Sequence, residues 1–129
     1  AIELLRGHDL VINATADFSI TALFRKAAEA LNTNLLSTAL KNDGNTYRID
    51  VLPPLGGASS IPDSTWSPAR PGLSFFEAGC GSPISPTPPH AVIEAAAATV
   101  RHAVGLLLDD PVHPAGEVRN LMPEPVVTP

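Results

Sequence analysis

Short apolar runs and a stretch of helical periodicity divide the first 51 residues. Residues 9–14 form an apolar run between polar neighbours, and their valine and isoleucine content favours a strand buried on both faces of a sheet. Helical spacing follows, with apolar side chains on one stripe at Ile20, Leu23, Phe24, Ala27 and Leu31. Thr15 or Asp17 can cap the start of this helix, and Asn32 can adopt the left-handed turn at its end.

Two further runs predict a hairpin. Residues 34–39 and 46–51 are both rich in residues that favour strands, and the turn between them contains Asp43 and Gly44, a pair typical of tight hairpins. The chain also opens on a helical turn. Residues 1–51 are therefore predicted to fold as strand, helix, strand and strand after that turn.

The pattern changes at residue 52. Residues 52–89 hold nine of the fourteen prolines and show neither strand nor helix periodicity, which predicts a long crossover loop that is either functional or partly disordered. Residues 90–129 are predicted to form a long helix, a weak closing strand and a proline-rich tail. The cap of the helix is predicted just before this range, with Thr87 as the N-cap and Pro88 in the first helical position. The apolar stripe of that helix comprises Val92, Ile93, Ala96, Ala97, Val100, Ala103, Val104, Leu107 and Leu108. The small residues 95–98 and Gly105 permit close packing against a sheet or a partner chain, and we expect the helix to pack through this Ala-rich face.

The charge and hydropathy of the chain argue against nucleic-acid binding and against a membrane span. The net charge is −5 and the eight lysines and arginines are spread singly, which argues against nucleic acid as a partner because such proteins cluster basic residues on one face. No apolar run approaches the roughly 18–20 residues of a membrane span, and residues 1–8 lack the order of a signal peptide. We therefore expect a cytoplasmic protein with no membrane partner.

Three segments occur in an order that resembles a known family. They are residues 9–15 (DLVINAT) followed by a helix, residues 35–39 (LLSTA) with the turn at Asp43 and Gly44, and Cys80 followed by a long helix and residues 113–119 (HPAGEVR). This order resembles the ThiF/MoeB/HesA-type adenylating enzymes, which activate ubiquitin-like or sulfur-carrier proteins. The resemblance covers nearly the whole chain and corresponds to the C-terminal half of the family's domain.

The resemblance implies an α/β fold, a partial Rossmann-like three-layer sheet with short parallel or mixed strands and two main helices. It also implies a reaction that uses ATP and Mg²⁺ in the complete domain, a ubiquitin-like or sulfur-carrier partner, and a homodimer. The family's glycine-rich phosphate loop has no counterpart in this chain, so we expect the chain alone to be inactive. No closely spaced cysteine pair exists, so we expect no structural zinc.

The end of the first strand carries the candidate nucleotide residues. Ligands of open α/β sheets bind beyond the carboxyl ends of the strands, where Asn13, Thr15 and Asp17 follow one another. The family's magnesium-binding aspartate aligns with Ala16, so Asp17, one residue later, is the candidate Mg²⁺ ligand. Each residue also has a structural alternative, since Asp17 can simply cap the helix and Asn13 can simply end the strand.

Cys80 is the candidate catalytic nucleophile. In some members of the family, a thiol in the crossover loop takes the activated acyl group or a sulfur atom, and its thiolate is the reactive form. The alternative is an inert cysteine. His102 and Arg101 are predicted to lie on the surface of the long helix. Two other functional classes stay open, a non-catalytic dimerisation or interaction module and half of a dinucleotide-binding dehydrogenase domain.

Overall fold

A computed structural model of the chain describes residues 2–62, 76–77, 83–84 and 87–120. Along these ranges the helices and strands are, in order, α1 (Ile2–Leu5), β1 (Leu10–Asn13), α2 (Phe18–Leu31), β2 (Asn34–Lys41), β3 (Thr46–Leu52), β4 (Phe76–Glu77), β5 (Pro83–Ile84), α3 (Pro89–Leu107) and β6 (Gly116–Asn120). A single 3₁₀ turn, Leu55–Gly57, follows β3.

Four strands form a mixed sheet in the order β1-β2-β3-β6. β1 runs parallel to β2, whereas β2 and β3 form an antiparallel hairpin and β6 pairs antiparallel with the far edge of β3. β4 and β5 pair antiparallel with each other, apart from this sheet. The expected α/β class with short parallel and mixed strands is thus confirmed, with a single parallel pair in the sheet.

A helix covers each face of this sheet. Residues paired across β2 and β3 share a face, and the pair Leu36 and Val51 contributes to a core that includes Ala95 of α3. The neighbouring pair, Leu35 and Leu52, forms the opposite core together with side chains of α2. Because successive strand residues point to opposite faces, this one register assigns alternate residues of the hairpin to α2 or to α3.

The predicted helix and turn signals of residues 15–45 are confirmed. Asp17 is the N-cap of α2, since its Oδ1 accepts a hydrogen bond from the backbone N–H of Ile20 at 3.0 Å. Asn32 ends the helix in the left-handed conformation, with φ of 52°. The hairpin turn places Asp43 and Gly44 at positive φ, as its sequence requires.

α3 packs through its Ala-rich face, as predicted, and not through its bulky apolar stripe. Only Ala103 of that stripe is buried, while Ile93 is 67% exposed and Val100 is 57% exposed. The buried residues are mostly small, namely Ala91, Ala95, Thr99, His102, Ala103 and Gly105. Small side chains let the helix axis approach the sheet closely, so the helix packs through its small face and presents its bulky apolar face outward.

Two local predictions for the C-terminal region are wrong. The N-cap of α3 is Pro88 and its first residue is Pro89, one position later than predicted, and Thr87 lies outside the helix. His102 is not a surface residue, because it is 1% exposed and its Nε2 lies 2.9 Å from Oε1 of Glu117 on β6. This hydrogen bond ties α3 to the edge strand, a connection across fifteen residues that helical periodicity does not reveal. Arg101 is exposed, as predicted.

Candidate functional site

A cleft of about 460 Å³ opens on the α2 side of the sheet. It lies beyond the carboxyl end of β1, over the C-terminal half of β2 and the facing part of β3, next to the first turn of α2. Ligands of open α/β sheets bind near the carboxyl ends of the strands. The residues that line it are Ala16, Phe18, Thr21, Ser37, Ala39, Leu40, Lys41, Arg48 and Asp50. The sequence predicts a site near this edge of the sheet, but none of the three candidate residues Asn13, Thr15 and Asp17 is among those that line the cleft.

Asn13, the last residue of β1, is 1% exposed and forms the centre of a hydrogen-bond network. Its Nδ2 donates to Oγ1 of Thr21 at 2.7 Å and to Oγ of Ser37 at 3.4 Å. Its Oδ1 accepts from the backbone N–H of Thr15 at 3.1 Å and from the hydroxyl of Thr15 at 2.8 Å. Both halves of the amide are thus engaged, and Asn13 fixes the β1–α2 connection, which carries the lining residue Ala16.

Thr15 and Asp17 shape the same connection. The hydroxyl of Thr15 accepts from the N–H of Asp17 at 3.2 Å while it donates to Asn13, so the three candidate residues form one chain of hydrogen bonds. Thr21 Oγ1 also donates to the carbonyl of Asp17 at 2.7 Å. The Asp17 side chain is exposed and caps α2, and its Oδ2 makes no hydrogen bond among the residues that the structure describes.

Arg48 and Asp50 form the wall of the cleft that the sequence reasoning missed. Their side chains make a two-pronged ion pair, with Nε to Oδ2 at 2.8 Å and Nη2 to Oδ1 at 3.0 Å, and they are only 13% and 16% exposed. Arg48 also donates to the carbonyls of Ile61 and Pro62. The ion pair therefore holds the beginning of the crossover segment against the cleft. Residues two apart on a strand point to the same face, so the sequence does contain the information that Arg48 and Asp50 can pair.

The mouth of the cleft is apolar and exposed. Phe18, the first residue of α2, is 85% exposed, and Ala16 before it adopts a left-handed conformation with φ of 55°. A non-glycine residue in that conformation stores a small strain, which the Asn13 network holds in place. Lys41 at the end of β2 supplies positive charge at the other side. The sequence assigns no role to Phe18, because the functional prediction at this place rests on the capping residue before it, Asp17.

Cys80 lies outside the described residues. Along the sequence it falls between β4 and β5. The longer described ranges on either side end at Pro62 and begin again at Thr87; Arg48 donates to the carbonyl of Pro62, and the methyl group of Thr87 lies close to Gly44 of the β2–β3 turn. The role of Cys80 as catalytic nucleophile therefore stays a prediction.

Comparisons of the chain with protein-family models, with curated proteins and with solved structures find no match. Within residues 2–62 and 87–120 and the two short strands between them, no group of three or more His, Cys, Asp and Glu side chains could hold a metal ion. No helix in the described part of the chain is both long and apolar enough to cross a membrane.

Proposed function

We propose that the chain is the C-terminal part of a ThiF/MoeB/HesA-type adenylating domain, and that the cleft beside Asp17 receives the phosphates of ATP. The observation that supports this most strongly is the position of the cleft, beyond the carboxyl end of β1 and against the first turn of a helix. The order of elements, with a parallel pair, a hairpin, a long crossover and a closing strand, agrees with a partial Rossmann-like sheet of this kind.

The first turn of α2 suits a phosphate bound with magnesium. The N–H of Ile20 is used by the Asp17 cap, while the first N–H groups of any helix lack intrahelical partners and point toward a ligand at its N-terminus. Asp17 retains Oδ2 as a carboxylate oxygen for a cation. Mg²⁺ commonly binds one or two protein carboxylates together with water and substrate phosphates, so a single aspartate at this place fits that donor set.

The proposed reaction has two steps. The C-terminal carboxylate of a ubiquitin-like or sulfur-carrier protein attacks the α-phosphorus of ATP, and pyrophosphate leaves as the acyl adenylate forms. The Cys80 thiolate then attacks the acyl carbon and displaces AMP, which leaves a thioester. Mg²⁺ would neutralise phosphate charge when bound. In this scheme the Asn13 network keeps the β1–α2 connection and the Asp17 carboxylate in fixed positions, which favours electrostatic stabilisation of the phosphates.

The anchored ends of the crossover segment are compatible with a role for Cys80. Cys80 is seven positions before Thr87, and seven residues reach at most about 25 Å when fully extended. Thr87 lies against the β2–β3 turn, and that hairpin also carries Lys41 and Arg48 of the cleft. This tether length allows the proposed attack of Cys80 on an acyl group in the cleft.

The test is pyrophosphate exchange into ATP by the complete protein, which joins this chain to its proposed nucleotide-binding half, with a partner protein that ends in Gly-Gly. Asp17→Asn is the informative variant, because asparagine caps a helix as well as aspartate does but lacks the charge. We expect exchange to fall at least tenfold in Asp17→Asn and to remain unchanged in Asp9→Asn, a carboxylate at the opposite end of β1. Equal rates in both variants would remove Asp17 from the magnesium site.

Cys80→Ser separates the two steps. We expect normal exchange but no thioester on a non-reducing gel, since serine does not form one. If the acyl group is transferred as well as in the wild type, Cys80 is not the nucleophile. If the complete protein shows no exchange with any such partner, the adenylating function is wrong and an interaction module becomes the better account, whereas binding of NAD would favour the dehydrogenase alternative.

A further inference from the structure

Residues 58–62 form a short segment beside the cleft, which we call the strap. The 3₁₀ turn before it places Gly56 at φ of 58° and Gly57 at φ of 74°, and a Cβ built on either meets no atom within 4 Å apart from its chain neighbours. Just before this pair the chain is fixed, since the N–H of Leu55 donates to the carbonyl of Pro114 at 2.9 Å. Two glycines in open space after a fixed point can absorb backbone rotation. The strap can therefore pivot about this pair.

Arg48 holds the strap at its other end. Its Nη2 donates to the carbonyl of Ile61 at 2.8 Å and its Nη1 donates to the carbonyl of Pro62 at 3.3 Å. Asp50 aims the same guanidinium, because its carboxylate accepts from Nε at 2.8 Å and from Nη2 at 3.0 Å. A negatively charged oxygen attracts a guanidinium more strongly than a neutral carbonyl does. The two contacts to the strap are therefore the ones that a competing anion displaces first.

Arg48 and Asp50 line two cavities at once. One is the cleft, and the other is a second cavity of about 310 Å³. Besides this ion pair, the second cavity is lined by Arg25, Leu52, Ser60, Ile61 and Pro62. The ion pair thus stands between the two cavities, and the strap forms one wall of the second. Movement of the strap away from Arg48 removes that wall and leaves the second cavity open.

We propose that Arg48 is an anion-operated latch. A phosphate that enters the cleft binds the Nη groups of Arg48, takes them from the carbonyls of Ile61 and Pro62, and so releases the strap. Asp50 is a positioning residue that keeps the guanidinium between cleft and strap. Lys41 also lines the cleft, so positive charges outnumber the one carboxylate of the lining and attract an anion. The latch rests on the proposed function only in placing phosphate in the same cleft, and it makes opening of the second cavity depend on that phosphate.

NMR relaxation of backbone ¹⁵N in the 129-residue chain, titrated with inorganic pyrophosphate at constant ionic strength, tests the latch. Without pyrophosphate we expect order parameters of about 0.85, typical of rigid backbone, at Ser59, Ser60 and Ile61, and with pyrophosphate a saturable fall below about 0.6. The Nε–H resonance of Arg48 should shift with the same midpoint, because the anion binds that guanidinium. Sodium chloride at equal ionic strength should cause neither change.

Two variants separate the parts of the latch. Arg48→Ala should give the low order parameters of a released strap before any pyrophosphate is added. The matched control is Arg101→Ala, which removes the same charge from an exposed position of α3 and should leave the strap rigid. Asparagine keeps an acceptor oxygen for Arg48 but lacks the competing negative charge, so Asp50→Asn should lower the pyrophosphate midpoint about tenfold. Asp50→Asn also serves if Arg48→Ala does not fold, which circular dichroism shows.

Three results overturn the latch. The first is a strap that is as mobile in the wild type as in Arg48→Ala. The second is an Arg48 resonance that pyrophosphate leaves in place, or one that shifts while residues 59–61 stay rigid. The third is a midpoint in Asp50→Asn that is no lower than in the wild type. Failure of the adenylating function is a separate result, because it is measured as absent exchange of pyrophosphate into ATP by the complete protein and does not depend on movement of the strap.

Discussion

Replacing Asn13 by alanine tests whether its side chain stabilises the structure around the cleft or serves only to bind a ligand. The side chain is 1% exposed and makes three hydrogen bonds of 3.1 Å or less, with a longer fourth to Ser37. Asn13→Ala removes all of them and leaves a small void at the end of β1. An asparagine whose amide is reserved for nucleotide would contribute little to stability in the absence of that nucleotide.

The expected loss follows from these contacts. A hydrogen bond contributes about 1 kcal/mol net, and the three short ones sum to about 3 kcal/mol. Because Thr15 is exposed, water can replace part of the lost hydrogen bonding, which reduces the cost of the substitution. The loss of buried side-chain atoms raises that cost, so the free energy of unfolding should fall by about 2–4 kcal/mol in total. At the sensitivity of a domain of this size, that loss corresponds to a drop in Tm of roughly 10 °C.

Urea denaturation followed by circular dichroism measures the loss directly. Asn34→Ala is the matched control, because Asn34 is half-buried at the start of β2 and its side chain has no hydrogen bond within the described residues. We expect the control to cost less than about 1 kcal/mol. If Asn13→Ala costs no more than Asn34→Ala, with equal denaturant slopes, the network does not hold the cleft and the reasoning fails.

Three further predictions concern stability. Gly116→Ala should lower the free energy of unfolding by more than about 3 kcal/mol or prevent folding, because Gly116 has φ of 105° and a Cβ there collides with the backbone of β3. Gly7 also has a positive φ but lies in open space, so Gly7→Ala should lower it by only about 1 kcal/mol in the same urea titration. Asp17→Ala should lower the Tm by the equivalent of about 1 kcal/mol through loss of the α2 cap, while Asp17→Asn should change it by a few tenths at most, and equal losses would contradict the capping role. Glu117→Ala should cost about 1–3 kcal/mol because it deprives the buried His102 of its partner, and Glu117→Gln, which keeps a hydrogen-bonding oxygen, should cost clearly less.

The N-terminal half of the fold is predictable because its signals are local. Asp17 and Asn32 bracket α2 with the residues that helix ends prefer, and Asp43-Gly44 specifies a turn whose positive φ values few other residues tolerate. Each of these preferences acts within four residues of the chain. Tertiary contacts did not need to be known for the elements to be assigned.

The C-terminal half shows where such signals fail. α3 has two candidate stripes, one of bulky and one of small residues, and hydrophobicity alone favours the bulky one. The sheet selects the small stripe, because Ala95 and Ala103 let the helix lie close to Ile49 and Val51. The burial of His102 likewise depends on Glu117, which lies on a strand that helical periodicity does not place.

The candidate site was predictable only in part. The rule that ligands bind beyond the carboxyl ends of strands points to the β1–α2 connection, which borders the cleft, but Asn13, Thr15 and Asp17 do not themselves line it. The opposite wall comes from β3, and its ion pair between Arg48 and Asp50 becomes part of the cleft only through the antiparallel register with β2. A register of this kind is set by the hairpin turn and the two cores together, so it emerged only with the structure.

The most direct test of the central claim is a crystal structure of the complete protein with Mg²⁺ and a non-hydrolysable ATP analogue. The account predicts phosphates in the cleft beside Thr21 and Ser37, with Mg²⁺ coordinated by an Asp17 oxygen at about 2.1 Å. A nucleotide bound elsewhere, with the cleft empty and Asp17 making no contact to the metal, would contradict it.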